Sequence, residues 1–343
     1  MTNRLKENEN NFTSLRLLLA LMVVFGHFKL LSGTKHPAFP FDLADAAVDA
    51  FFVVSGFLIT LSYERSRGLW PFYVRRIFRL YPMYVCAVVI QTAIMLALLP
   101  NGPLSELRST VQYLVANLLL ANFLQYDIGG VLSGVQVPGI NPSLWTLKIE
   151  IGFYLIVPLI YAAVRRWSWV ALALIFAGST LYSLAMLHLG DVRLARQLPG
   201  QLQFFVVGMA LYLYGRPLRV PRLVSVAVVV GFFAVWSLIQ PIPSGLRPIV
   251  VAVFVFDFAL CLPAVPLRSD MSYSVYLLQG PLLQTAILIG VFRDTLWFLG
   301  GVLCVVLALA FVAERLVERP GNALGRALSV RLECRAPSLS GAV

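Results

Sequence analysis

Runs of apolar residues about 17–25 long, the length a helix needs to cross a hydrocarbon core, recur from end to end of the 343-residue chain. Hydrocarbon offers the backbone no hydrogen-bond partners, so such runs must be helices. With 59% hydrophobic and 13% charged residues, the chain has too few charges to cover a water-soluble surface. No stretch is polar and long enough for a separate soluble domain. The expected fold class is an all-α integral membrane protein, a bundle of about ten transmembrane helices with both termini cytoplasmic.

The expected spans are 13–33, 45–63, 78–99, 143–164, 168–188, 200–215, 223–239, 248–265, 273–291 and 295–317. The apolar segment 111–126 decides the topology. Counted as a span, it would put Arg165, Arg166 and every later Arg cluster outside. Left out, most of the 27 Lys and Arg fall inside, as the positive-inside rule requires. It is therefore expected to be a re-entrant or surface-lying helix on the outer side. Trp70, Trp167, Trp169 and Trp297 flank spans, at the depth where amphipathic rings settle. The first run is too long for a signal-peptide core and has no small-residue cleavage pattern after it. Polar residues concentrate in the first half, with no sign of the inverted repeats common in transporters.

A net charge of +11 invites a nucleic-acid reading, but the basic residues sit in short loops between apolar runs. They cluster at Arg65, Arg67, Arg75, Arg76 and Arg79, at Arg216, Arg219 and Arg222, and in the tail at Arg315, Arg319, Arg326, Arg331 and Arg335. Anionic headgroups account for most of them. Cys86, Cys261, Cys304 and Cys334 show no paired spacing, so neither a disulfide framework nor a metal site is expected. His36 and His188 read as surface residues.

Ionisable residues inside apolar runs are costly and usually face a bundle interior or a wet cavity. The first span carries Arg16 near its inner end and His27 deep within it. Eleven residues are about three turns, so both side chains lie on one face, roughly 16 Å apart along the axis. Such a face suits an elongated anionic ligand, with phosphates at Arg16 and the reactive end at His27; a snorkelling Arg and a helix-bridging His are the plainer explanation. A neutral imidazole can serve as a general base, and a carboxylate on a neighbouring span would orient it. In the second span Asp49 needs a partner, and Ser55-Gly56 reads as a close-packing site.

The sequence FYVRRIFRLYP reads as an inner loop in which Arg75, Arg76 and Arg79 form a cationic surface closed by Pro82. Arg fork geometry suits phosphate oxygens, of lipid headgroups or of a nucleotide. In NPSLWTLKIEIGFYLIVPL, Asn141 is an expected N-cap with Pro142 at the first helical position. Glu150 follows about 12 Å in, with Tyr154 on its face and Lys148 pointing elsewhere. Tyr273, Tyr276 and Gln279 share a face of the ninth span.

With those residues in hand, the chain resembles the acyltransferase family 3 of integral membrane O-acyltransferases, which includes bacterial enzymes that acetylate glycans. The resemblance rests on Arg16 with His27, VDAFFVVSGFLI at 48–59, RRIFRLYP at 75–82, SLWTLKIEIGFYLIVPL at 143–159, QFFVVGM at 203–209, SYSVYLL at 272–278 and VERP at 317–320. It implies a membrane-embedded acyltransferase domain over 1–320, a basic cytoplasmic tail over 321–343, and residence in a bacterial cytoplasmic (inner) membrane. It also implies acyl-CoA, usually acetyl-CoA, as donor, with no metal. His27 is then the essential catalytic residue, and Arg16, Arg75, Arg76 and Arg79 serve donor binding or catalysis. Glu150 matches the family's fourth-span Glu and joins Asp49 as a candidate catalytic carboxylate. Trp145, Tyr154, Tyr273, Tyr276 and Gln279 are candidate substrate contacts. Family members often carry His where this chain has Gln279, which cannot act as an acid or base. Many relatives add a hydrolase-like domain outside the membrane, for which the 23 residues after Pro320 are too few.

The expected reaction moves an acyl group to a hydroxyl of an exported or lipid-linked glycan, either by direct attack or through an acyl-histidine. Membrane lipids are the other expected partners, nucleic acid is not one, and an oligomer is compatible with the sequence. A transporter or flippase for an anionic glycan or lipid, with His27 and Glu150 relaying protons, is the rival reading.

Overall fold

A computed structural model describes residues 10–33, 43–216, 220–239, 242–265, 267 and 269–335. His36 and Arg219 lie outside the described residues. Thirteen α-helices and no strand occur among those described: α1 (Phe12–Ser32), α2 (Leu43–Glu64), α3 (Leu69–Ala97), α4 (Leu107–Leu118), α5 (Trp145–Trp167), α6 (Trp169–His188), the single turn α7 (Val192–Ala195), α8 (Leu198–Tyr214), α9 (Arg222–Leu238), α10 (Arg247–Phe256), α11 (Ser272–Leu288), α12 (Leu296–Ala313) and α13 (Arg319–Arg335). Each of the ten expected spans coincides with a helix. Six helical stretches are long and apolar enough to cross a membrane: α1, α2 from Ala44, α3, α5, α6 and the continuous Leu296–Cys334. Helices α8, α9 and α11 have 17 residues each and α10 has 10, at or below the short end of a span.

The bundle's outside is apolar. Leu155 and Leu159 of α5, Leu174 and Leu181 of α6, and Val226 and Val230 of α9 are all more than 50% exposed. In water that surface would drive association; against lipid it is the favourable solvent contact. Trp70, Trp167, Trp169 and Trp297 stand exposed at helix ends, as expected, and His188 is exposed. The chain is a multi-pass membrane protein.

Helix α1 packs between α2 and α11, and α2 lies along α8 over most of its length. That last approach is backbone to backbone. A Cβ added to Gly56 would sit 2.0 Å from the carbonyl oxygen of Phe205, and one added to Gly208 would sit 2.0 Å from that of Val53. Small residues let membrane helices approach this closely, so Ser55-Gly56 is a packing site as read. Gly56→Ala must push α2 and α8 apart. It is expected to destabilise the protein by at least about 1–3 kcal/mol; an unchanged thermal midpoint would show that the contact is looser than this.

Two local expectations are corrected. The motif FYVRRIFRLYP is not a loop: α3 begins at Leu69 and runs through it, with Pro82 inside the helix rather than closing it. Carboxylates from distant segments meet Arg75 and Arg79 on that helix. Asn141 does not cap α5, which starts at Trp145. Instead its Oδ1 accepts from the Ser143 N–H at 3.2 Å and its Nδ2 donates to the Leu277 carbonyl at 2.9 Å, tying the 141–144 turns to α11. Segment 111–126, left out of the expected spans, is helical only to Leu118 and then turns, so it is too short to span, as expected.

At the other end of the chain, α12 passes into α13 through a π-helical turn, Glu314–Glu318. The wider turn aims Glu318 inward, and such turns recur at functional sites. Helix α13 packs along α3, where Gly321 and Gly325 meet Pro82 and Phe78.

Candidate active site

The four helices α1, α2, α3 and α5, with the start of α11, enclose an elongated cavity of about 100 Å³. It follows α2 from Ile59 to Val48, roughly 16 Å at the rise of a helix. Arg16, Arg76, Arg79, Glu150, Tyr154, Tyr273 and Tyr276 all line it, with Phe51, Phe52 and Thr146 among the walls. Seven candidates from four separate motifs thus share one space.

Its cationic end is held by carboxylates that the sequence reading did not single out. Asp270 Oδ2 takes Arg16 Nη1 at 2.5 Å and Arg79 Nη2 at 2.7 Å. Arg79 Nη1 also reaches Glu318 Oε2 at 3.2 Å, and the Ser274 hydroxyl donates to the other oxygen of Glu318. Burial pushes the Asp270 carboxyl up. Arg16 and Arg79 outweigh that and, with Ser272, hold it well below the usual carboxylate range, so it is charged at neutral pH. Asp270 sits in the turn before α11, and the VERP motif around Glu318 was the available signal for the second carboxylate.

Arg76 is different. It makes no ion pair among the described residues. Nη2 donates to Ser62 Oγ at 2.9 Å, the guanidinium lies 5.9 Å from the Tyr154 ring centre, and the buried Nε finds no acceptor. Tyr154 in turn donates to Glu150 Oε1 at 2.7 Å. Arg75 does not line the cavity; it binds Glu333 of α13 at 3.2 Å and the Ser66 hydroxyl.

At the far end of the cavity a hydrogen-bonded string leads to His27. Thr146 Oγ1 and Tyr276 OH are 2.8 Å apart, and Tyr276 also reaches the Ser143 carbonyl at 3.4 Å. Gln279 Nε2 lies 3.0 Å from Ser143 Oγ and 2.6 Å from His27 Nδ1. His27 is buried and stands behind this string rather than in the cavity wall. Gln279, expected as a substrate contact and not as an acid or base, is the side chain that meets the imidazole. Its orientation decides the tautomer. An amide N–H donated to Nδ1 leaves the ring proton on Nε2, whereas the amide turned over accepts from Nδ1–H and frees the Nε2 lone pair. In the observed setting Gln279 Oε1 has no partner.

Asp49 belongs to another place. It pairs with Arg247 Nε at 2.5 Å, and that guanidinium lies 4.8 Å from the Trp236 ring centre. Trp145, Asp45, Arg196, Gln201 and Gln203 line the same second cavity, which meets the first at Val48. No disulfide joins the four cysteines, and no cluster able to hold a metal occurs among the described residues.

An arginine-lined cavity leading to a buried imidazole fits several chemistries; relatives decide the class. The family profile for an acyltransferase domain matches residues 9–315. The chain belongs to the acyltransferase 3 family. Nodulation protein 10 of Rhizobium leguminosarum bv. viciae is 31% identical, the match covering 94% of this chain and 96% of that one. The putative membrane-bound transacylase BcsY of Komagataeibacter xylinus is 26% identical over 92% and 83%, and the O-acetyl transferase of Shigella phage Sf6 is 28% identical over 81% and 86%. No solved structure matches. The protein is an enzyme that transfers acyl groups.

Proposed function

We propose that this acyltransferase takes an acetyl group from cytoplasmic acyl-CoA and passes it to a hydroxyl of an exported or lipid-linked glycan. It would sit in a bacterial inner membrane with ten spans and both termini cytoplasmic. The observation that carries the reading is the cavity itself, with three guanidiniums at one end and a hydrogen-bonded path to His27 at the other. Its narrow bore suits the acyl-pantetheine arm, while the nucleotide phosphates stay at the mouth near Arg16, Arg76 and Arg79. Arg76, the cation without a carboxylate, is the natural first partner for a phosphate. The Sf6 relative's name, O-acetyl transferase, favours acetyl and an oxygen acceptor.

In the proposed step the Gln279 amide is turned over so that its Oε1 accepts from His27 Nδ1–H, and His27 Nε2 then takes the acceptor hydroxyl's proton as the oxygen attacks the thioester carbonyl. The C–S bond breaks, and the thiolate leaves and recovers that proton from the imidazolium. The products are an ester and free CoA thiol. For the thioester carbon to reach His27, the Thr146–Tyr276 contact must part.

Donor binding tests this directly. Acetyl-CoA at about a hundred times its Kd should stabilise the purified protein by about 2.7 kcal/mol. Arg76→Ala should weaken donor binding about tenfold to a hundredfold, as expected for one charge-assisted contact. It should barely change the unliganded thermal midpoint, since no ion pair is lost. A native protein whose midpoint ignores acetyl-CoA would remove the donor assignment.

A further inference from the structure

A third opening lies beyond the His27 string, on the side away from the guanidiniums. It is a cleft of about 380 Å³ between the segment that follows α4 and the start of α5, lined by Asn122, Phe123, Tyr126, Asn141, Trp145 and Lys148 among others. That volume is within the ~300–1,000 Å³ range of small-ligand sites. Leu30, one turn past His27 on α1, also lines it. Asn141 holds the Ser143 backbone whose hydroxyl meets Gln279, so the cleft touches the same string from the opposite side. Trp145 lines this cleft, and the next residue, Thr146, lines the arginine cavity.

The lining sets the aromatic faces of Phe123, Tyr126 and Trp145 beside the Asn122 amide, a combination suited to a sugar ring, whose C–H face packs on aromatics and whose hydroxyls need donors and acceptors. Lys148 adds a charge. It stands near the start of α5, on a different side from Glu150, and makes no ion pair among the described residues. Its Nζ lies 5.1 Å from the ring centre of Phe123, which is itself 64% exposed. A lysine there with no carboxylate is costly unless something anionic visits it or it merely snorkels.

We infer that this cleft is the acceptor site and that it takes a glycan carrying an anion, with a sugar ring against Trp145 and Tyr126 and the anion on Lys148. The inference rests on the glycan-acylation reading above. The anion is either an acidic sugar or the phosphate of a lipid carrier, and both present the same chemistry to the ammonium.

Membrane vesicles bearing the protein, supplied with acetyl-CoA labelled in the acetyl group, test it against two glycan fractions from the same cells: lipid-extractable carrier-linked glycan and acidic polysaccharide. Lys148→Met is expected to raise KM for the acceptor about tenfold to a hundredfold with little change in kcat. Acetyl-CoA should stabilise this variant as it does the native protein, and Lys148→Arg should restore the low KM. Tyr126→Ala, at a half-exposed ring that the fold does not need, should act in the same direction. The fraction whose labelling depends on Lys148 identifies the source of the anion. Acceptor KM values unchanged in both fractions, or a donor response lost together with transfer, overturn the site. A native protein that stabilises with acetyl-CoA but labels neither fraction overturns the glycan reading, and the site with it.

Discussion

Replacing His27 by alanine should lower kcat for acyl transfer by about a hundredfold to ten-thousandfold, the usual contribution of a general base, while leaving acetyl-CoA stabilisation in place. The separation follows from geometry. The guanidiniums that would hold the donor are about three helical turns from the imidazole, and His27 does not line the cavity they share. Alanine also opens a void beside Gln279, so His27→Asn is the sharper variant: it keeps a polar group for the amide and removes the base. Both should bind donor and fail to turn over. Gln279→Leu should fall between them and the native enzyme, because the ring survives but nothing selects its tautomer. Transfer by His27→Asn at near-native rates would move the chemistry elsewhere, Glu150 being the carboxylate already in the cavity wall.

Much of this was legible before any coordinates. The apolar runs became helices, Gly56 packs as read, and Glu150 and Tyr154 meet on one face of α5. What was not legible is pairing across the chain. Asp49 needed a partner, but its partner is Arg247, nearly two hundred residues away, and no spacing rule reaches that far. The RRIFR motif follows the second span and reads as an inner loop with its guanidiniums at helical spacing, a cationic surface for headgroups or a nucleotide. Asp270, Glu318 and Glu333 meet Arg75 and Arg79 from far along the chain, and of the three only Glu318 stands in a motif, VERP. Gln279 reads from the sequence as a substrate contact with no acid or base role, whereas in the fold its amide meets the His27 ring, which it can orient. Lys148 was noted only for facing away from Glu150; the direction in which it does face is a property of the fold.

The largest effect on stability is expected at Arg79. This guanidinium bridges two carboxylates, Asp270 and Glu318, and the Glu318 side chain is only 1% exposed. Arg79→Ala removes the sole cation that reaches Glu318 among the described ion pairs and leaves a buried carboxylate uncompensated. Breaking one side of such a pair typically costs about 3–5 kcal/mol, enough to deplete folded protein from the membrane. Arg16→Ala should cost less, because Arg79 still holds Asp270. The decisive comparison is the double variant Arg79→Met with Glu318→Met. Apolar isosteres of a buried pair are often neutral or stabilising, so the pair of changes should recover most of the midpoint that either single change loses. Donor binding should not recover with it, since one of the three guanidiniums stays missing. If the double variant regains both stability and acetyl-CoA binding, Arg79 is purely structural and the donor's phosphates rest on Arg16 and Arg76. If Arg79→Ala melts with the native protein, the bridge contributes nothing, and the packing of α3, α11 and the π-helical turn stands without it.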